Sequence, residues 1–363
     1  MENKQELFEK APVWKAYFII SLPVVFSMLV TLIYNMVDTF FVSGTQNADL
    51  VAGVSQCTPL FMLMLALGDI FGLGGSSIIS RLFGQKDDAT AKNVSGFCFY
   101  AAIISGLIVT GLMFLFQTPI LKMLGATDAT VKYASQYYFF IAWGAPLIIL
   151  SLTPSNIIRT EGLALQSMIA SVAGSIVNIA LDPLFIFTFK MGAGGAALAT
   201  VMGYVLSDAL LIYYILKKST NLTVSVRHVK IKRQLATSVF LIGIPASLTN
   251  LMQSYNMTII NRYLIDYGSK AVAAMGIAMK VNMIIMMIMV GFAFGAQPLI
   301  GYSYGAKDNK RLQKIIRFDL LVEVGFSALA AVFIIIFAPQ LIGMFMSDAS
   351  VVSYGTGMLR WFT

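Results

Sequence analysis

The sequence predicts an all-α polytopic membrane protein, and three observations lead to that fold class. Of its 363 residues, 58% are hydrophobic and only 12% are charged, about half the charged fraction of a typical soluble chain. Apolar runs of about 20 residues, each long enough to cross a bilayer as a helix, recur along almost the whole chain. These runs are too long and too continuous to be the strands of a membrane β-barrel.

Hydropathy divides the chain into ten predicted membrane spans. They cover residues 16–43, 50–79, 94–116, 133–158, 163–189, 195–216, 236–260, 271–300 and 318–338, and a last span begins near residue 350. The N-terminal sequence "MENKQELFEKAPVWK" lacks the short apolar core and the cleavage site of a signal peptide. We therefore expect the first span to be retained.

The basic residues predict the orientation of the chain. When the connections between spans are assigned alternately to the two sides of the membrane, one side carries 18 lysines and arginines and the other carries 5. Because basic loops stay in the cytoplasm, we expect the richer side and the N-terminus to be cytoplasmic, in the cell (inner or plasma) membrane. The two cysteines, Cys57 and Cys98, both fall within spans and indicate neither a disulfide framework nor a metal site.

An internal repeat with a period of about 220 residues relates the two halves of the chain. "SLPVVFSMLV" from Ser21 aligns with "GIPASLTNLM" from Gly243, and "GGSSIISRLFGQKD" from Gly74 aligns with "GAQPLIGYSYGAKD" from Gly295. The complete repeat unit holds six spans. Because that number is even, the two units have the same orientation in the membrane.

The repeat predicts the domain organisation. We expect an N-terminal six-helix lobe over 1–216, a cytoplasmic linker over 217–235 and a partial C-terminal lobe of about four helices over 236–363. By this alignment the second unit ends two spans short. We therefore expect about ten of twelve helices to be present and the sequence to be a piece of a longer protein.

Polar residues inside the spans indicate a functional site, because charge is costly at membrane depth. Asp38, Asp182 and Thr200 are expected at a similar depth, in the outer half of the membrane. Tyr34 precedes Asp38 by four residues and Asn178 precedes Asp182 by four, so the members of each pair share a helix face. Two carboxylates, an amide, a hydroxyl and a phenol can therefore converge inside the first lobe.

The chemistry of these groups suits proton or cation coupling. Burial disfavours the charged form of a carboxylate, so a buried carboxylate can hold a proton near neutral pH or bind a hard cation through its oxygens. We predict a site for H⁺ or Na⁺ formed by Asp38, Asn178, Asp182 and Thr200. Pro183 frees a backbone carbonyl in the preceding turn and allows the helix to bend. Two structural alternatives remain open: Asp182 caps the helix that the proline breaks, and Asp38 is an interfacial residue near a helix end.

Other polar residues in the spans have two interpretations each. Asp69 and Asp208, which lie deeper towards the cytoplasm, suit either a buried contact between helices or a role in transport. Lys280 suits either a counter-ion in the second lobe or a side chain that extends to the membrane surface. Asp319 and Glu323 lie near the start of their helix and are interpreted as interfacial.

The motifs resemble those of a known family. Two six-helix repeats, "SLP" in the first helix, "NIALDP" in the fifth and Thr200 in the sixth resemble the multidrug and toxic compound extrusion (MATE) transporters, and the resemblance covers the whole chain. It implies a V-shaped exporter of cationic amphiphiles. In that family, residues that match Asp38, Asn178, Asp182 and Thr200 handle the coupling proton or sodium ion, and the residue that matches Tyr34 lines the cavity.

The same resemblance leads to the remaining expectations about the site. Some members carry a cation-binding glutamate in helix 7, where this sequence has Gln253, and this difference favours a coupling site in the first lobe. We assign Tyr34, Pro183, Gln253 and Lys280 to the substrate cavity. We expect no cofactor beyond the coupling ion, and no metal except a possible Na⁺ at the predicted site.

Two functions compete at this point. The leading hypothesis is a secondary antiporter that exports drugs or organic cations in exchange for H⁺ or Na⁺. The alternative is a lipid-linked oligosaccharide flippase of the same superfamily, which is expected to line its cavity with arginines, whereas these spans offer Lys280 and several acids. No catalytic triad, zinc motif or P-loop occurs in the sequence, so we do not expect an enzyme. We expect a monomer in contact with membrane lipids and not with nucleic acid.

Overall fold

The computed structural model describes residues 6–264, 269–344 and 349–361, and the side chains of 250–251, 253–258, 261–262, 264, 269–273 and 349 lie outside this description. Twelve α-helices occupy the described residues. We call the first eight the first lobe: α1 (Val13–Ser43), α2 (Ala48–Gln56), α3 (Thr58–Gly84), α4 (Asp88–Leu115), α5 (Gln117–Met123), α6 (Val131–Arg159), α7 (Ala164–Pro183) and α8 (Ala193–Lys218). We call the other four the second lobe: α9 (Arg233–Leu264), α10 (Ser269–Gly305), α11 (Asn309–Gly343) and α12 (Ala349–Trp361).

The helices confirm the predicted all-α polytopic class. Within the described residues, eight segments are long and apolar enough to cross a membrane. They are Val13–Ser43, Ala48–Gly84, Asp88–Leu115, Val131–Arg159, Ala164–Thr188, Ala193–Lys218, Ala274–Gly305 and Asn309–Gly343. The predicted spans 236–260 and from 350 coincide with α9 and α12.

Two helix boundaries differ from the limits of the predicted spans, for local reasons. The span predicted over 50–79 lies within the apolar segment Ala48–Gly84, but this segment is two helices, because α2 ends at Gln56 and Pro59 lies in the first turn of α3, where its missing N–H is harmless. The span predicted from residue 94 begins at Asp88, because the Asp87 side chain caps α4 by accepting a hydrogen bond from the backbone N–H of Thr90 at 3.1 Å.

The two lobes pack against each other along α3. This helix contacts α4 and α6 within the first lobe, and α9 and α10 of the second lobe, while α1 also packs on α10. Glycines permit the close approach: a Cβ atom at Gly305 would overlap the backbone of Arg81, and one at Gly84 would overlap the backbone of Tyr302. These contacts lie near the turns 85–87 and 306–308. We call the face with these turns and the connection 219–232 the basic side.

The N-terminal segment before α1 covers the basic side. Residues Glu6–Lys10 form a π-helical turn, in which Leu7 and Phe8 are buried against the turn at Gly162. The Phe8 ring is only 1% exposed and packs on Tyr302 of α10, with 5.1 Å between the ring centroids. This short segment therefore buries apolar side chains against both lobes.

Polar contacts hold the same segment in place. Arg311 of α11 donates from Nη2 to the carbonyl oxygens of Leu7, at 3.4 Å, and Ala11, at 2.9 Å. Glu9 accepts from the Tyr302 hydroxyl at 2.6 Å and forms an ion pair with Lys86, in the turn after α3. The segment thus joins the first lobe to α10 and α11, and the described residues close the molecule on its basic side.

We expect Glu9→Gln to weaken this closure in a pH-dependent manner. The hydrogen bond from the Lys86 ammonium lowers the pKa of the Glu9 carboxyl below its usual value. A carboxyl whose pKa is lower in the folded state adds stability above its unfolded pKa, and this contribution is lost as the pH falls through the folded pKa. Because both side chains are partly exposed, we expect the variant to lose about 0.5 kcal/mol near neutral pH and nothing in strong acid.

Thermal unfolding in detergent across a pH series measures this difference. Glu6→Gln is the matched control, because Glu6 is exposed in the same turn. An equal loss in the control, or a loss for Glu9→Gln that persists in acid, would contradict the assignment.

Candidate functional site

Three helices supply the residues of the predicted coupling site. α1 carries Asp38, α7 carries Asn178 and Asp182, and α8 carries Thr200. The Asn178 amide donates from Nδ2 to Thr200 Oγ1 at 3.4 Å, and that hydroxyl donates to the carbonyl oxygen of Ala196 at 3.0 Å. Asp38 and Asp182 lie within electrostatic range of each other. The structure therefore brings these four predicted residues together within the first lobe.

The contact between α7 and α8 is made by glycines. A Cβ atom at Gly174 would lie 2.6 Å from the carbonyl oxygen of Gly203, and one at Gly203 would lie 2.8 Å from the carbonyl oxygen of Gly174. The two backbones therefore touch one turn below the site. This close approach is what places Asn178 against Thr200, since a larger residue at either position would separate the helices.

The site is rich in acceptor oxygens that have no donor. Asp182 is 0% exposed and Asn178 is 2% exposed. Among the described residues, no hydrogen-bond partner faces Asn178 Oδ1, either carboxyl oxygen of Asp182 or the buried Asp38 Oδ1. A buried acceptor without a donor costs about 1–3 kcal/mol, and more when it is charged. Four such oxygens in one lobe form an environment that a proton or a small cation would stabilise.

The structure also bears on the two alternatives for the carboxylates. α7 ends at Pro183, and the chain continues as a π-helical turn over Leu184–Thr188. Neither oxygen of Asp182 accepts a backbone hydrogen bond, so the described contacts do not support a capping role. Asp38 is partly buried and lies inside α1, which continues to Ser43.

Two tyrosines belong to this cluster although the sequence analysis did not select them. Tyr137 of α6 lies within electrostatic range of Asp38, Asp182 and Tyr34. The Tyr204 hydroxyl, on α8, interacts with that of Tyr34. Tyr204 could have been found from its spacing, because it follows Thr200 by four residues. The run "QYYFF" around Tyr137 gave no such signal, since only packing decides which of its rings turns inward.

The residues assigned to the substrate cavity do not all gather at this site. Tyr34 is partly buried beside the carboxylates, and Pro183 is partly buried at the junction of α7 and its π-helical turn. Lys280 is exposed on α10, and within the described residues it is not among the groups that act on Asp38 or Asp182. The side chain of Gln253 in α9 lies outside the described residues.

Comparison with known proteins gives a consistent result. The MatE family model matches residues 23–184 and 245–363. The multidrug export protein MepA of Staphylococcus saprophyticus is 33% identical over 354 residues, which are 97% of this chain and 78% of that protein, and MepA of Staphylococcus aureus is 32% identical over 356 residues with the same coverage. A solved outward-facing conformation of a multidrug resistance MATE family transporter of the MOP superfamily has a TM-score of 0.90 at 28% identity, covering 99% of this chain and 80% of that chain.

We expect a pair of substitutions at Thr200 to test the hydrogen bond with Asn178. Thr200→Val keeps the shape of the side chain but removes the acceptor for the amide, and should cost about 1–2 kcal/mol of stability because a buried donor loses its partner. Thr200→Ser keeps the hydroxyl and should cost less. Thermal unfolding of both variants in detergent makes the comparison. Equal losses would show that the methyl group, and not the hydrogen bond, matters at this position.

Proposed function

Because the chain belongs to the MatE family of multidrug and toxic compound extrusion transporters, we propose that it exports cationic or amphiphilic small molecules in exchange for H⁺ or Na⁺ at Asp38 and Asp182. The protein is a multi-pass membrane protein, and its relatives are transporters and not enzymes. The observation that carries the proposal is the set of buried acceptor oxygens without donors in the first lobe.

The flippase alternative is not favoured by these multidrug export relatives. A flippase would need cationic side chains free to hold a diphosphate. The buried Arg159 lies instead at the end of α6 on the basic side, where it donates to Ser155 and Ser167 at 3.2 Å each. The groups around Asp38 and Asp182 are tyrosines, an amide and a hydroxyl, which suit a positively charged ligand.

The ion and the drug share one electrostatic requirement. The two carboxylates lie in range of each other, so positive charge or protonation must compensate at least one of them. A bound proton or Na⁺ meets this need, and so does a cationic drug near Tyr34, which is partly exposed beside them. In this mechanism the two ligands compete for the same lobe, and each weakens the binding of the other.

We propose that the ion changes the conformation of the protein at Pro183, where α7 meets the π-helical turn. The α-helical hydrogen bonds of α7 end here and a π-helical turn follows, so the backbone next to Asp182 is less constrained than a continuous helix. When Asp182 is protonated or binds a cation, its carboxyl oxygens no longer need hydrogen-bond donors. In this proposal, that change alters the angle at which α7 bends at Pro183. A coupling of about 1–3 kcal/mol between ion and drug is enough for useful exchange.

We expect Asp182→Asn to abolish ion-driven export while the protein still folds and inserts. Asparagine keeps the shape of the side chain but cannot titrate or carry charge. Ethidium export by vesicles with an imposed proton or sodium gradient measures the effect. Asp128→Asn, at an exposed position outside the helices, is the matched control and should export normally. Export by Asp182→Asn at the wild-type rate would refute the assignment.

The orientation is part of the same proposal, with the basic side in the cytoplasm. We expect a cysteine at Ser225 to resist an impermeant thiol reagent added to intact cells, and a cysteine at Thr127 to react. Both positions are exposed, and the native Cys57 and Cys98 are buried, so the background should be low. Strong labelling at position 225 with none at 127 would reverse the orientation.

A further inference from the structure

Asp208 lies deep in the first lobe and outside the site described above. It is 2% exposed on α8, and neither of its carboxyl oxygens has a hydrogen-bond partner among the described residues. It precedes Lys218, the end of α8, by ten residues, or about 15 Å at the rise of an α-helix. That depth lies within the hydrocarbon layer, where an unpaired charged group is expensive.

The other deep acids of the described spans have partners. Asp69 lies within electrostatic range of the Arg159 guanidinium, and Asp319 accepts a hydrogen bond from the Tyr17 hydroxyl at 2.8 Å. Glu323 lies in range of Asp319 and is partly exposed. Asp208 has no such partner. The buried polar contact between helices, which was one interpretation of Asp208 from the sequence, is therefore not formed among the described residues.

The environment of Asp208 restricts what it can bind. Metal cations in proteins take several oxygen ligands, whereas a proton needs one. No side chain or backbone group donates a hydrogen bond to this carboxyl group among the described residues, and the described residues contain no cluster of three or more His, Cys, Asp or Glu that could hold a metal. The remaining way to neutralise a buried carboxylate is to protonate it.

One tyrosine connects Asp208 to the coupling site. Thr200, Tyr204 and Asp208 follow one another at intervals of four residues, so they share one face of α8. Tyr204 lies in electrostatic range of Asp208, and its hydroxyl interacts with that of Tyr34 on α1. Tyr34 in turn lies in range of Asp38.

The helices packed against α8 are α1, α2, α6 and α7. Their titratable groups are Lys15, Tyr17, Tyr34 and Asp38 on α1, Asp49 on α2, Lys132, Tyr133, Tyr137, Tyr138 and Arg159 on α6, and Asp182 on α7. Within the described residues, the group in electrostatic range of Asp208 is Tyr204, which lies on α8 itself.

We propose that Asp208 is a second proton-binding site of the first lobe, separate from Asp38 and Asp182, and that it takes up and releases a proton during transport. When the Asp208 O–H bond breaks, the proton leaves to solvent. The carboxylate that remains is stabilised only if a neighbouring group donates a hydrogen bond to it. The Tyr204 hydroxyl has one proton to donate, so it donates either to Tyr34 or to Asp208. The role of this exchange in coupling rests on the function proposed above, whereas the proton site itself does not.

Infrared difference spectra test the proton site directly. Purified wild-type protein in lipid should show a carboxylic C=O stretching band in acid that disappears as the pH is raised. Asp208→Asn should lack one such band, and the control Asp128→Asn should keep it. Sodium added at fixed pH should leave the Asp208 band unchanged. A band that vanishes with sodium would identify a metal cation as the ligand and overturn the proposal.

Further variants keep the test decisive. If Asp208→Asn does not fold, Asp208→Glu retains the carboxyl group and should shift the frequency of the same band. Tyr204→Phe removes the donor, so the band should persist to higher pH. A band that is insensitive to pH throughout would make Asp208 a permanently neutral acid, and the proposal would be wrong. Because the spectra need neither drug nor gradient, they can support Asp208 even if Asp182→Asn exports normally.

Discussion

The structure depends on one constraint: the hydrocarbon core of the membrane cannot form hydrogen bonds with the polar groups of the protein. The backbone meets it by forming helices across almost the whole described chain. Buried serines can meet it locally, as Ser27 and Ser175 do by donating to the carbonyl oxygen four residues earlier. Asn178, Asp182 and Asp208 do not meet it in the described structure. Their unpaired oxygens therefore stand out as places where a ligand or a proton is needed.

Apolar packing joins the two lobes at some points and separates them at others. The main core of the first lobe extends into the second at Phe292 and Tyr302, whereas α10, α11 and α12 form a smaller core of their own around Ile334 and Ala338. On the basic side, the partly exposed contacts of Glu9 with its neighbours add to the close packing of α3 on α9 and α10. Such exposed contacts are each worth about 0–1 kcal/mol, so the buried packing contributes most of the contact between the lobes there.

Much of this architecture follows from sequence, and the exceptions have physical causes. Hydropathy located the spans because length and apolarity decide insertion, but it could not see the break before Pro59, since an apolar run continues through it. Helical spacing predicted that Asn178 and Asp182 share a face of α7, and both side chains are buried there. It could not select Tyr137, because the inward turn of that ring depends on packing between α6 and its neighbours. Nor could it choose between the two interpretations of Lys280, which is exposed on α10 of the second lobe.

The unpaired acceptor oxygens would also let one lobe serve two ligands in turn, as the proposed exchange requires. Asp38 and Asp182 lie within electrostatic range of each other and have buried oxygens without donors, so ionisation of both is costly without compensation. In the exchange proposed above, a proton, a sodium ion and a cationic drug would each provide part of that compensation. Binding of one would therefore weaken the electrostatic attraction for the others. Such mutual weakening, combined with access from alternating sides, is the physical content of antiport.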